Sequence, residues 1–190
     1  MFNQRIRFHS NGSIDMGLKI FISLVLMITL CPMRIDLQEE VPITVQSLVI
    51  LMVAIFWGWR IGLVATLTYI AAGIFGWNVF PGYQSGWERI QGEFGGFYFG
   101  FVAAALVVGY MAEQEWSRRP FQCLSLWFVG HVIILLLGGF WLRKFNPDFW
   151  WDMIVITLPG AAVKSAIGFM FTRVFIRFLF PSSRPGATSQ

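Results

Sequence analysis

Apolar runs dominate this chain, and its polar residues gather between them. Four runs are unbroken or nearly so: Gly17 to Cys31, Phe94 to Ala112, Phe121 to Leu142, and a stretch within Met153 to Phe180. A further run from Ile43 to Gly76 is interrupted only at Gly58-Trp59-Arg60, where a glycine beside a cation reads as a tight turn, and so divides into two shorter segments. Water is absent from the bilayer core, so a spanning segment must satisfy its own backbone amides as a helix or join a closed barrel. None of these runs alternates as barrel strands do. The pattern predicts an all-α polytopic membrane protein of six transmembrane helices over residues 17–180, with tails at 1–16 and 181–190. Its second and third spans, each about 22 Å long, are short against a hydrocarbon core of about 30 Å. Spans of that length border a cavity, a loop or thinned lipid.

Composition supports the pattern and removes other classes. Hydrophobic residues make up 56% of the chain and charged ones 13%, and mean hydropathy is +0.65, which excludes the soluble classes. The net charge of +4 is no nucleic-acid footprint, because the cations sit at segment ends and form no basic stripe. Their distribution orients the chain. With the N-terminus inside, Arg5, Arg7, Lys19, Arg60, Arg118, Arg119, Arg173, Arg177 and Arg184 are cytoplasmic, against Arg34, Arg89, Arg143 and Lys144 outside, so both termini are expected in the cytoplasm. The basic start before the first run is read as an uncleaved span, since Leu30-Cys31-Pro32 lacks small residues before a processed cysteine. Cys31 and Cys123 fall at opposite faces, which predicts neither a disulfide nor a metal site.

Lys164 stands out within the last run. It is the only ionisable residue between Asp152 and Arg173, and it follows Leu158-Pro159-Gly160. Such a cation either faces a protein interior and a partner or snorkels to the headgroups along its own stem. Three unusual segments share its side of the membrane: Val41 to Gln46, the Gly-rich aromatic loop from Gly76 to Gly96, and Leu158-Pro159-Gly160. A loop of that length and composition is typical of a binding loop or lid.

The same residues carry a family resemblance. Val41-Pro42-Ile43-Thr44-Val45-Gln46-Ser47-Leu48, then Gly58, Gly62, Tyr69, Gly73, Gly76, Val79 and Phe80, resemble the signature of BioY, the biotin-binding S component of energy-coupling factor (ECF) transporters. The similarity continues through Gly92, Gly95-Gly96 and Gly100-Phe101 and resumes at Pro159-Gly160 and Lys164. It thus covers about residues 41–112 and 158–168. The chain departs from the family at Phe94 and Phe97, which replace a small polar residue and a tyrosine, at Asn78 in place of a common proline, and at Ala161 in place of an aspartate. Glu93 is either a substitute for that carboxylate or an exposed loop residue.

The resemblance implies a six-helix S component in a prokaryotic plasma membrane, with a pocket near the outer face. It implies no catalysis, cofactor or metal. Biotin would be bound from outside and delivered inward with a membrane coupling subunit and two ATPase subunits, and the chain carries no phosphate-binding loop of its own. Lys164, early in a helix beginning near Ala161, would meet the valerate carboxylate with the aid of the helix dipole. Asn78, Gln46 or Gln91 would serve the ureido ring. Phe80, Tyr83, Trp87, Phe94 and Phe97 would wall the thiophane ring. In such proteins small residues four apart on the first helix dock the coupling subunit; here that stripe offers Ser23 opposite Met27, with no alanine pair, so either another face docks or coupling is weak. An S component for a different carboxylated vitamin fits the same features. An intramembrane hydrolase fits less well, since His131 stands alone and reads as a helix-to-helix hydrogen-bonding residue.

Overall fold

The computed structural model describes residues 6–35 and 43–179. The tail from 181, Val41-Pro42 of the family signature, and Arg5 and Arg184 of the charge count lie outside the described residues. Seven α-helices hold most of the described residues: α1 (Gly12–Leu30), α2 (Gln46–Trp57), α3 (Trp59–Ile74), a single turn α4 (Glu88–Gln91), α5 (Gly95–Glu113), α6 (Pro120–Leu142) and α7 (Trp150–Leu179). Among the described residues the all-α expectation gains a short antiparallel pair, β1 (Arg34–Ile35) and β2 (Ile43–Thr44), in which Arg34 faces Thr44. Helices α1, α5, α6 and α7 are each long and apolar enough to cross a membrane. At 12 and 16 residues, α2 and α3 are the shorter apolar helices expected before and after Gly58.

Their boundary is a single residue. Gly58 has φ of 85°, the left-handed region open to glycine without steric cost, and this turns the chain back within one position. The hairpin is tight because Gly62 lies against Ala54, where an added Cβ would come 2.9 Å from the Ala54 Cα. The α5–α6 seam uses the same device. A Cβ on Gly100 would lie 2.9 Å from the Ile134 Cα, and one on Gly96 2.6 Å from the Leu137 carbonyl oxygen. Apolar side chains gain little by leaving lipid for a helix interface, so close backbone approach and van der Waals contact hold such helices together.

Two features differ from what the sequence alone suggests. Helix α1 begins at Gly12, where the Asn11 side chain accepts from the Ser13 N–H, and its inward stripe is Asp15, Lys19, Ser23 and Met27. Ser23 and Met27 are fully buried against the bundle, so this stripe offers no docking face. Lys19 is buried too, 2.6 Å from Asp15 and beside the Trp57 ring, while Asp15 also accepts from the Phe8 and His9 amides. A cation so deep is tolerable because a carboxylate pairs with it. The second change is α7, which does not restart near Ala161. It runs unbroken from Trp150 with Pro159 inside it, and Lys164 is its fifteenth residue, about 21 Å from the start. The helix-dipole contribution expected for Lys164 therefore falls away, since that effect is confined to the first turn.

Candidate functional site

Loop 75–94 covers one end of the bundle. Its backbone reverses around Pro81-Gly82-Tyr83, where Phe80 pairs with Gln84. The Gly86 amide donates to the Gly73 carbonyl, the Gly82 amide to the Pro32 carbonyl, and the Trp141 indole N–H to the Gly92 carbonyl. Phe80 pins the loop from below: it is fully buried over Gly73, with its ring 4.7 Å from Tyr98 and 6.0 Å from Tyr69.

Beneath this loop lies a cavity of about 170 Å³. Each helix that reaches it contributes a face at helical spacing: Phe97, Tyr98 and Phe101 from α5, His131, Ile134 and Leu135 from α6, and Met153, Thr157, Ala161 and Lys164 from α7. The first turn of α2 adds Gln46 and Ser47, β1 and β2 add Arg34 and Thr44, and the loop adds Pro81, Gln84, Arg89 and Phe94. Apolar walls with a few convergent polar groups are the usual make-up of a small-molecule site.

Of the residues named from sequence, Lys164, Gln46, Phe94 and Phe97 line this cavity. Asn78, Tyr83, Trp87, Gln91 and Glu93 are exposed on the loop, and Asn78 accepts a hydrogen bond from the Ser85 hydroxyl at 2.9 Å. Phe80 lies in the core under the loop. Arg34, Thr44, Ser47, Arg89, Tyr98, His131 and Thr157 are lining residues not named as ligand contacts. Helical spacing held a signal for Thr157, which shares a face with Ala161 and Lys164, four and seven residues on.

The polar corner is built by two helices and a strand. The Lys164 ammonium donates to the Ser47 hydroxyl at 3.1 Å and to the Thr44 carbonyl at 3.3 Å. It is turned into the bundle, and the snorkelling alternative does not describe it. Gln46 is buried, and its orientation follows from its neighbour: the Tyr69 hydroxyl gives its one proton to the Val79 carbonyl at 2.8 Å, so it accepts from the Gln46 amide nitrogen at 3.0 Å. The Gln46 carbonyl oxygen is then the group left for a ligand, an acceptor. His131 ties three helices together, contacting Ser47 of α2 and Ser165 of α7 from its place in α6. A deep cation, neutral hydroxyls, an amide acceptor and aromatic walls suit binding of a small amphipathic acid.

A family model described as the BioY family matches residues 9–180. The chain belongs to the BioY family. A relative named biotin transporter BioY from Rhodobacter capsulatus is 34% identical over 175 residues, covering 84% of this chain and 90% of that protein. Another of that name from Thermotoga maritima is 32% identical over 132 residues, covering 63% of this chain and 77% of its own length. The fold is shared with the crystal structure of the S-component for biotin from an ECF-type ABC transporter, at a TM-score of 0.69 and 19% identity over 90% of this chain and 95% of that one. In this BioY chain Ala161 lines the cavity one helical turn before Lys164.

Proposed function

We propose that this chain is the substrate-binding membrane subunit of a biotin uptake transporter. The observation that carries the reading is Lys164, a cation held by Ser47 and Thr44 at the wall of a cavity whose other described lining residues are apolar, neutral polar or, at Arg34 and Arg89, cationic, with no carboxylate among them. A valerate carboxylate supplies the anion that such a lysine requires. The ureido N–H groups find the Gln46 carbonyl, and the thiophane ring fits against Phe94, Phe97 and Tyr98. In this reading the protein binds its ligand and transforms nothing. It works with an ECF coupling subunit and two ATPase subunits, in the plasma membrane of a prokaryote, with both termini cytoplasmic and loop 75–94 outside.

The orientation has its own test. A cysteine placed at Gln91, exposed on α4, reacts with an impermeant thiol reagent in intact cells, and one at Gln114, exposed beyond α5, does not. The reverse pattern overturns the topology.

A different small carboxylated vitamin is favoured by one observation, the alanine at 161 on the cavity wall, which removes a carboxylate acceptor for ligand N–H groups. Titration of the purified chain with biotin, in competition with other carboxylated vitamins, separates the two readings. Saturable binding of another vitamin and none of biotin moves the assignment to that vitamin.

A further inference from the structure

Ser47 links the lysine to a buried histidine. His131 is 3% exposed in the middle of α6. Its Nε2 lies 3.4 Å from the Ser47 hydroxyl, and its Nδ1 lies 2.9 Å from the Trp127 carbonyl and 3.0 Å from the Ser165 hydroxyl. The same Ser47 oxygen is 3.1 Å from the Lys164 ammonium.

The directions in this chain follow from what each group is able to give. An ammonium has protons and no lone pair, so Lys164 donates and Ser47 accepts. The single Ser47 proton then points to its other partner, Nε2, which must present a lone pair. The imidazole proton therefore sits on Nδ1, where the Trp127 carbonyl accepts it. One sense of donation runs throughout, from Lys164 to Ser47 to His131 to Trp127. Two of the three ammonium protons are committed to Ser47 and Thr44, and the third is left for the cavity.

We infer that His131 is a positioning residue for the ligand carboxylate, acting through Ser47 on the Lys164 ammonium. This rests on the proposed role of Lys164 as the carboxylate anchor. With its Nε2 lone pair in place, the Ser47 hydroxyl presents only its oxygen to the lysine. Without it, the hydroxyl turns to seek another acceptor, the lysine loses one of its two fixed points, and the third N–H no longer meets the carboxylate in register. A histidine that served only to join α2, α6 and α7 would have no preference among ligands.

The test compares biotin with biotin amide, which keeps the rings and tail but lacks the anion. Purified wild type, His131→Leu, His131→Gln, Ser47→Ala and the His131→Leu, Ser47→Ala double variant are titrated with both, and melting in detergent is followed alongside. His131→Leu is expected to weaken biotin about fivefold or more, the worth of one hydrogen bond, and to leave amide binding within about twofold. His131→Gln, whose side-chain oxygen is able to take the place of Nε2 as acceptor, restores most of the acid affinity. The double variant binds biotin no more weakly than Ser47→Ala alone, because both changes break one chain. Equal losses for acid and amide in His131→Leu, or additive losses in the double variant, overturn the inference. Should His131→Leu fail to fold, Ser47→Ala decides by the same ratio: an equal loss for acid and amide overturns it. A wild type that binds no biotin overturns the reading on which the inference rests, and this is seen before any variant is compared.

Discussion

Lys164→Met is expected to weaken ligand binding by roughly 1.5 to 3 kcal/mol, or about 10- to 150-fold, while the protein still folds. Methionine keeps the length and apolar stem of lysine and deletes the charge. What is lost is a charge-assisted hydrogen bond to the ligand acid in a water-poor cavity. The Ser47 hydroxyl keeps His131 as a partner, so the fold is little affected. Lys164→Arg is also expected to bind more weakly, because a planar fork does not reproduce a point charge seated between Ser47 and the Thr44 carbonyl. Equilibrium titration of the purified variants is the check. Undiminished affinity in Lys164→Met would make the lysine a structural tie between α7 and α2 and nothing more.

The largest expected loss of stability is at Trp127. Its side chain is the largest among those fully buried in the described residues, and its ring lies flat on Gly168, where an added Cβ would come 2.5 Å from the ring carbons. The indole N–H donates to the Thr172 hydroxyl at 3.2 Å, and that hydroxyl donates to the Gly168 carbonyl at 2.8 Å. This contact locks α6 to α7 below the cavity. Trp127→Ala leaves a void between the two helices and is expected to cost about 3 to 5 kcal/mol, with a marked fall in melting temperature in detergent. Trp127→Phe keeps most of the packing and should cost much less. An unchanged melting temperature in Trp127→Ala would mean that this seam contributes little.

Much of the fold was legible because membrane spans are written in long apolar runs and the chain marks their ends with polar residues. Gly58 between two such runs was enough to place the α2–α3 turn, since few other residues adopt that backbone conformation. Pro159-Gly160 misled for a physical reason. In water a proline within a helix usually ends it, but inside a bundle the freed carbonyl is satisfied locally or by neighbours, and α7 continues. The start of α7 could not be read from a breaker that does not break.

The site was legible in its cation and less so in its surroundings. Lys164 announced itself as a lone charge, and Gln46 lay in the family signature. Ser47, Thr157 and His131 are small or isolated polar residues in apolar helices, and each is a common residue in such helices without a ligand in view. What distinguishes them is convergence from three helices on one point, a tertiary fact. Asn78, Gln91, Glu93, Tyr83 and Trp87 were drawn in by their place on the aromatic loop, which carries side chains on both faces, and here these point away from the cavity. Arg34 and Arg89 entered the sequence argument only as topological charges, although both reach the lining.

Titration of the purified chain with biotin, biotin amide and the acid shortened by one methylene tests the central claim most directly. The claim is that this cavity recognises its ligand through a carboxylate at Lys164. It predicts saturable binding of biotin and a greater loss for the amide than for the shortened acid. A buried lysine left without its anion forfeits a charged interaction, whereas one methylene is worth about 0.8 kcal/mol of burial. Binding of the amide as tight as that of biotin, or no saturable binding of biotin at all, would contradict it.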